Sequence, residues 1–291
     1  MFDQIISICL FPLTIIYCIV VAYKRIKAKP IDFGVKIVSI GNIVLGGSGK
    51  TPLTIELAKN KDNVAVILRG YGRNSKGMYV VSDCGKILEN VDISGDEAQL
   101  LALSLPKATV IVSQNRAEAI IKAKQLGAKL IFLDDGHSQY HIQKIDILIR
   151  PKTEPTNLFC LPSGGYRETK MNYAFADVVL QDGVDFVRKT SFSQNGNKLD
   201  NLPEKLLLVT AISKANRLFE YLPDNIHNEI FPDHYNFTQN DINNILSKYP
   251  DYTVVTTAKD MVKLKQFNLK NIITIDLEID IINKSKIANL I

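Results

Sequence analysis

Residues 39–51 have the sequence SIGNIVLGGSGKT, and this stretch decides the fold. An apolar run at 35–40 predicts a buried strand, and the residues from 51 to 59 predict a helix. A glycine loop between a strand and a helix presents backbone N–H groups and a helix N-terminus that bind phosphate. The order therefore predicts a P-loop, in which Lys50 reaches the β- and γ-phosphates of a nucleotide and Thr51 binds Mg²⁺.

The glycine spacing departs from the standard P-loop pattern. That pattern, G-x-x-x-x-G-K-[ST], has glycine at the position of Val44, whereas the additional glycines of this loop are Gly46 and Gly47. A glycine-rich turn with no ligand is the alternative, which the Gly-Lys-Thr sequence in its context disfavours. The residues predicted to contact the nucleotide here are Gly46, Gly47, Ser48, Gly49, Lys50 and Thr51.

The length and composition are those of a two-domain globular protein. The chain has 291 residues, enough for two domains of roughly 100 to 200 residues each. Basic residues at positions 24–29 follow an apolar segment, which indicates anionic lipid as a partner rather than nucleic acid. The four cysteines form no C-x-x-C pair, so neither zinc nor a disulfide framework is expected, and a reducing cytoplasmic setting fits. No protein partner is indicated.

Residues 5–23 are almost wholly apolar, close to the roughly 20 residues that span a bilayer as a helix. Asp3 precedes the segment and Lys24, Arg25 and Lys27 follow it, which is the reverse of a signal peptide. We therefore expect a retained anchor, with the rest of the chain on the cytoplasmic side. Pro12 would kink the helix, so insertion into one leaflet stays open, as does a buried core helix.

Acidic residues follow a second predicted strand. Residues 129–133 are apolar and lead directly into Asp134, Asp135 and Gly136. In a protein with a P-loop, a carboxylate at the end of a buried strand lies opposite the Thr51 hydroxyl and fixes Mg²⁺. An Asp-Gly turn without metal is the alternative. Residues 137–141 are predicted to be a loop without an assigned role.

Asp96 begins the helical pattern at 98–105 and has two interpretations. Ser94 and Glu97 have the spacing of a capping box, which would make the acidic pair structural. Alternatively, Asp96 is the general base on a substrate hydroxyl, as phosphoryl transfer to an alcohol requires. Arg116 lies in the first turn of a predicted helix, where a bound phosphate would offset its unfavourable interaction with the helix dipole. For His234, a solvated or core histidine is the default.

The second half continues with strands and helices but has no second glycine loop. Strands are predicted at 177–180, 206–210, 253–256 and 272–275, with helices around 214–221, 241–248 and 261–266. Asn195 and Gly196 predict a hairpin. The predicted fold is α/β: a P-loop NTPase-type parallel sheet domain at 30–175, a second, smaller α/β domain at 176–291, and an N-terminal membrane helix within 1–29.

With these motifs the sequence resembles the tetraacyldisaccharide 4'-kinase family, membrane-bound kinases that phosphorylate the lipid A disaccharide precursor. The resemblance covers most of the chain. It lies in an ordered set of motifs, which are GNIVLGGSGKT, RGYG, GDE before a leucine-rich helix, DDG, LPSGGYRE, DHYNF and TAKD. The chain differs at residues 137–139, where the family usually has an apolar residue followed by Gln-His, and at Ala258, where it usually has Glu.

The resemblance implies transfer of the γ-phosphoryl group of ATP to the 4'-hydroxyl of the tetraacyldisaccharide 1-phosphate, at the cytoplasmic face of the inner membrane. It implies that Asp96 is the base, assisted by His234. The other implied site residues are Lys50 and Thr51 for ATP and Mg²⁺, Asp134 and Asp135 on the metal side, and Arg116 and Glu168 for nucleotide or substrate. The alternative function is a membrane-tethered nucleotide switch that hydrolyses ATP or GTP to regulate a partner.

Overall fold

The structure is a computed structural model that describes residues 2–224, 226–288 and 290. Its first lobe is built on a mixed sheet of eight strands in the order β4-β3-β5-β2-β6-β1-β7-β8. Six of the strands are parallel, and β3 and β4 form an antiparallel edge. The strands are β1 (Lys36–Asn42), β2 (Val64–Leu68), β3 (Tyr79–Asp83), β4 (Lys86–Ile87), β5 (Thr109–Val112), β6 (Leu130–Asp134), β7 (Ile145–Arg150) and β8 (Val178–Gln181).

Helices cover this sheet, as expected for parallel strands that are buried on both faces. Apolar residues of α2, α4 and α5 pack against opposite faces in two separate clusters. The helices of the first lobe are α1 (Phe2–Lys27), α2 (Lys50–Ala58), α3 (Val91–Ser94), α4 (Asp96–Ser104) and α5 (Arg116–Gln125), with a 3-10 helix at Lys170–Phe175. Strand β1 lies between β6 and β7, so the P-loop leaves the middle of the sheet.

The second lobe has a six-stranded sheet in the order β10-β9-β14-β13-β11-β12. Its strands are β9 (Phe186–Gln194), β10 (Asn197–Leu199), β11 (Leu206–Thr210), β12 (His227–Ile230), β13 (Thr253–Thr257) and β14 (Ile272–Ile281). Its helices are α6 (Gln239–Lys248), α7 (Ala258–Leu264) and α8 (Ser285–Ala288), with 3-10 helices at Ala215–Tyr221 and Lys265–Phe267. The turn between β9 and β10 has positive φ at Asn195 (52°) and Gly196 (81°), which confirms the predicted hairpin.

A two-stranded arm connects the lobes. Strands β9 and β14 pair antiparallel, and Phe186, Ile279 and Ile281 at one end of the arm belong to the main core of the first lobe. Strand β8 is part of the first sheet, so sheet membership changes between Gln181 and Phe186. The proposed domain division at 175/176 therefore precedes the last strand of the first sheet.

Helix α1 lies along the first lobe and continues through Pro12. Polar side chains on one face bond to the loop before residue 168: Ser7 Oγ donates to Ser163 O (2.8 Å), and the Tyr17 hydroxyl donates to Arg167 O (2.8 Å). The opposite face exposes large apolar side chains, among them Ile8, Leu13, Ile16, Ile19 and Ile26. Ser7–Lys27 is long and apolar enough to cross a membrane, and only 11% of it is buried in the protein.

Candidate active site

The P-loop connects β1 to α2, as the sequence predicts. Gly46 and Gly49 have positive φ (99° and 87°), a backbone conformation that glycine adopts without strain. The Lys50 ammonium donates to Asn42 Oδ1 (3.2 Å) and lies 3.7 Å from Asp135 Oδ1. The buried Ser48 hydroxyl has no hydrogen-bond partner among the described residues. A buried polar group without a partner inside a glycine loop points to a ligand that supplies one.

The acidic end of β6 lies beside the start of α2. Parallel pairing places Asp134 opposite Ile40 of β1, so the carboxyl end of β6 is next to the P-loop. The Thr51 hydroxyl donates to Asp134 Oδ2 at 2.8 Å. Burial, together with the nearby charge of Glu97, raises the pKa of Asp134 to about 7. An adjacent cation would favour the ionised form of this carboxyl group.

These groups fit Mg²⁺ by the chemistry of their donor atoms. Thr51, Asp134 and Asp135 all offer oxygen, which hard divalent cations prefer. The described residues contain no group of three or more His, Cys, Asp or Glu side chains that would hold a metal by themselves. Magnesium in nucleotide sites is usually bound by one or two carboxylates together with phosphate oxygens, so this sparse set is the kind expected.

The acceptor side is formed by Asp96 and His234, which lie 138 positions apart in the chain. His234 Nδ1 is 3.1 Å from Asp96 Oδ2 and 3.2 Å from Oδ1. Lys263 Nζ is 3.2 Å from the same carboxylate, and Lys259 Nζ is 3.8 Å away. Burial alone would raise the pKa of Asp96, but the His234 hydrogen bond and the two lysines hold the pKa well below its usual range. An ionised carboxylate only accepts, so Nδ1 of His234 carries the proton.

The interpretation of Ser94 and Glu97 as a capping box is wrong. Helix α3 ends at Ser94, and Gly95, with φ of 81°, turns the chain into α4 without any side-chain cap. The Ser94 hydroxyl instead lies within hydrogen-bond distance of Asn90 O (2.8 Å) and of the Gln99 side-chain amide (2.9 Å to Oε1). Asp96 is therefore the first residue of α4, and its side chain faces the second lobe.

Comparison with known proteins identifies the family. The family described as tetraacyldisaccharide-1-P 4'-kinase matches residues 6–291. The chain belongs to this family. The tetraacyldisaccharide 4'-kinase of Aliarcobacter butzleri is 59% identical over 280 residues, which cover 96% of this chain and 89% of that protein. One from Helicobacter pylori is 41% identical, covering 93% and 85%, and one from Campylobacter jejuni is 39% identical, covering 99% and 92%.

A solved structure has the same fold. It is described as the "apo" form of LpxK from Aquifex aeolicus in complex with ATP, and it has a TM-score of 0.80 with 24% identity over 98% of each chain. The predicted α/β fold is thus confirmed. Membership of the tetraacyldisaccharide-1-P 4'-kinase family confirms the predicted enzyme class, an ATP-dependent lipid A 4'-kinase.

In this kinase, Arg116 lies near the acidic residues without a described ion pair to them. Asn115 caps α5, and the buried Arg116 Nη1 donates to Ser113 O. Burial lowers the pKa of Arg116 to about 10, although the charges of Asp134 and Asp135 act in the opposite direction. Its Nε has no partner among the described residues. A role of Arg116 in phosphate binding stays a prediction.

Glu168 is the centre of a different polar cluster, below α1. It accepts hydrogen bonds from Arg25 Nη2 (2.6 Å), Tyr140 OH (2.5 Å) and Asn172 Nδ2 (2.6 Å). Burial opposes its ionisation, but His137 first, and then the hydrogen bonds from Tyr140 and Asn172, hold the pKa of Glu168 at about 2. The Arg25 contact joins α1 to the first lobe, and the Tyr140 and Asn172 contacts lie within that lobe. The predicted role of Glu168 in nucleotide or substrate binding stays a prediction.

Sequence reasoning missed three side chains: Lys259 and Lys263 beside Asp96, and His137 in the cluster around Glu168. His137, predicted to be a loop residue without a role, is 4% exposed and has Nδ1 2.5 Å from Asp146 Oδ2. Lys259 and Lys263 were not assigned any function. The TAKD motif and the helical spacing of four that follows it place both lysines on one side of α7, which is the signal that would have found them.

Proposed function

We propose that this chain transfers the γ-phosphoryl group of ATP to the 4'-hydroxyl of the tetraacyldisaccharide 1-phosphate, with Asp96 and His234 on the acceptor side. The observation that carries the proposal is the pairing of Asp96 with His234 beside the P-loop. Asp96 directly precedes Glu97, whose charge acts on Asp134 of the donor side. The carboxylate is therefore close to the place where the transferred phosphoryl group would lie.

On the donor side, Lys50 would neutralise charge on the β- and γ-phosphates, and the loop N–H groups would hold their oxygens. Mg²⁺ held by Thr51, Asp134 and Asp135 would supply further charge neutralisation. Most of the rate enhancement in such transfers comes from positioning and electrostatic stabilisation. The residues of the first lobe supply both.

On the acceptor side, Asp96 would orient the hydroxyl and take its proton. Because its pKa lies far below neutral, Asp96 is ionised and accepts a hydrogen bond from the alcohol. Proton transfer would come late, after the forming bond to phosphorus has made the alcohol oxygen acidic. His234 would fix the orientation of the carboxylate through Nδ1–H. The nucleotide-switch alternative does not require this pair.

We further propose that α1 inserts one face into the cytoplasmic leaflet of the inner membrane. Its contacts with the first lobe extend from Ser7 to Arg25, which supports a helix that lies along the bilayer surface. The exposed apolar side chains form the opposite face, and the basic residues at 24–29 would meet anionic headgroups. A substrate with acyl chains would then reach the site without leaving the membrane.

The test is a transfer assay with radiolabelled ATP and purified tetraacyldisaccharide 1-phosphate in detergent. We expect the wild type to label the lipid at the 4'-position and Lys50→Ala to lose nearly all activity. Lys59→Ala is the control and should retain activity. Lys59 is an exposed lysine directly after the end of α2, and its ammonium group pairs with Glu56. Release of labelled phosphate by the wild type without labelled lipid would contradict the proposal and support the switch.

A further inference from the structure

Three basic side chains of the second lobe cover the P-loop. Arg188 Nη2 donates to Ser48 O (2.9 Å), and Arg217 Nη1 donates to Gly47 O (2.9 Å). Lys214 lies across Gly46, where an added Cβ would be 2.5 Å from its ammonium nitrogen. Each of three consecutive loop positions is thus contacted from the other lobe, and none of the three cations belongs to the P-loop motif.

The loop is shaped for this approach. An added Cβ at Gly49 would lie 3.3 Å from Arg188 Nη2 and 3.5 Å from its Cζ, so the guanidinium packs directly on a glycine. The carbonyl groups of residues 47 and 48 point toward the second lobe, since they accept these bonds. In a phosphate-binding loop the N–H groups face the ligand. Holding the carbonyls from outside therefore fixes the direction of the N–H groups.

Of the three cations, Arg188 has a carboxylate partner, whereas Lys214 and Arg217 have none among the described residues. Arg188 is paired with Asp182 through Nε (2.9 Å), so it joins the end of the first sheet to the loop. Lys214 and Arg217 are exposed and form no ion pair with a carboxylate of the described residues. Burial and the charge of Arg217 lower the pKa of Lys214. Two neighbouring cations above a loop with an unpartnered Ser48 hydroxyl favour an anionic ligand.

We propose that Lys214 and Arg217 bind the phosphates of the donor nucleotide from the second lobe, and that Arg188 is a positioning residue that holds the loop for them. The inference rests on the proposed transfer from ATP. Phosphoryl-transfer enzymes gain from a cation that reaches the phosphates from outside the P-loop. Here the second lobe would supply such cations to the donor side and His234 to the acceptor side. The same lobe would therefore complete both sides of the site.

The test is calorimetric titration of ATP in Mg²⁺ buffer, without lipid. We expect Lys214→Met and Arg217→Met each to weaken ATP binding about tenfold, as loss of a charge-assisted bond would. Tripolyphosphate, which has the phosphates without base or ribose, should show the same loss. Lys189→Met is the control: this neighbour of Arg188 on β9 is exposed and paired with Asp280, and its variant should bind as the wild type.

Arg188 needs a readout that separates positioning from charge. Lysine keeps the charge but lacks the fork that bridges Asp182 and Ser48. We expect Arg188→Lys and Arg188→Met to raise KM for ATP similarly, with KM for the lipid and the melting temperature without nucleotide unchanged. Full rescue by lysine would contradict the positioning role.

The decisive variant is the double variant Lys214→Met, Arg217→Met. If it binds ATP or tripolyphosphate with an affinity within twofold of the wild type, the proposal is overturned. Loss of affinity for ATP alone would also overturn it, because the cations would then contact base or ribose. Failure of the wild type to label lipid would reject the proposed function instead, while the titrations would still decide the role of these residues.

Discussion

At the scale of single residues, Asp96 is the side chain on which both lobes converge. His234 and Lys263 approach its carboxylate from the second lobe at 3.1 and 3.2 Å, while Gly95 in the first lobe places it at the start of α4. Lys263 is 5% exposed and also donates to Tyr235 O (2.9 Å). The position and the charge state of Asp96 therefore depend on residues far away in the sequence.

Replacing Lys263 with methionine tests that dependence. Removal of one partner from a buried ion pair leaves the other charge unpaired, so we expect a loss of about 3 kcal/mol in the free energy of unfolding. Urea titration measures it. Lys259→Met is the matched control, because Lys259 is more exposed (18%) and lies 3.8 Å from Asp96, so its loss should be below about 1 kcal/mol. Equal losses in the two variants would contradict this account.

The His234–Asp96 pair predicts a dependence of stability on pH. The hydrogen bond that His234 Nδ1 donates to the Asp96 carboxylate raises the pKa of His234 in the folded protein, against partial burial. The stabilisation is then fully present below the unfolded pKa of about 6.5 and is lost as pH rises through the higher folded pKa. We expect the stability advantage of the wild type over His234→Gln to be larger at acidic than at mildly alkaline pH, measured by urea unfolding. A constant difference would contradict the prediction.

At the scale of elements, α1 has two unlike faces. Ser7, Thr14 and Tyr17 bond to the loop at 160–167, whereas the opposite face exposes isoleucines over three turns or more. A helix inside a soluble core would bury its apolar residues and expose its polar ones. The reversed arrangement is that of a helix whose apolar face meets lipid.

Substituting serine at Ile8, Ile16 and Ile19 together should weaken binding to anionic vesicles by at least about 100-fold, since each isoleucine buried in lipid contributes on the order of 1.5 kcal/mol or more. Co-sedimentation with vesicles measures it. The control replaces Leu126, Ile230 and Leu246, which are exposed apolar residues away from α1. If both triple variants pellet like the wild type, α1 is not the membrane-binding element.

The elements that could be predicted from sequence are those with local signals. Buried parallel strands are continuous apolar runs, so β11, expected at 206–210, was predicted with its observed bounds. Strand β14 continues to Ile281, six residues beyond the predicted end, and this second half pairs antiparallel with β9. Residues 215–221 form a 3-10 helix, a distinction that periodicity over a single short segment does not make.

The residues of the candidate site also divide into those with a local sequence signal and those without one. The donor side was predictable because the P-loop and the Asp134–Asp135 pair are each local motifs at the end of a strand. The contacts of Lys263 with Asp96 and of Arg217 with Gly47 join distant segments, and no local pattern encodes them. His137 was missed because its partner Asp146 lies on β7, across the sheet.

At the scale of the whole molecule, two lobes share one site. The first lobe carries the P-loop, the acidic residues and Asp96, and the second carries His234 and the lysines of α7. One end of the β9–β14 arm packs into the core of the first lobe and attaches the second lobe to it. We therefore propose that Asp96 and His234 form one functional unit, assembled only when the lobes are together.

The most direct test is a double-mutant cycle on kcat of lipid phosphorylation, using Asp96→Asn, His234→Gln and the double variant. If the pair acts as a unit, each single variant should lose on the order of 100-fold or more, and the double variant should lose little more than the worse single one. Losses that multiply in the double variant would show that the two residues act independently and would contradict the account.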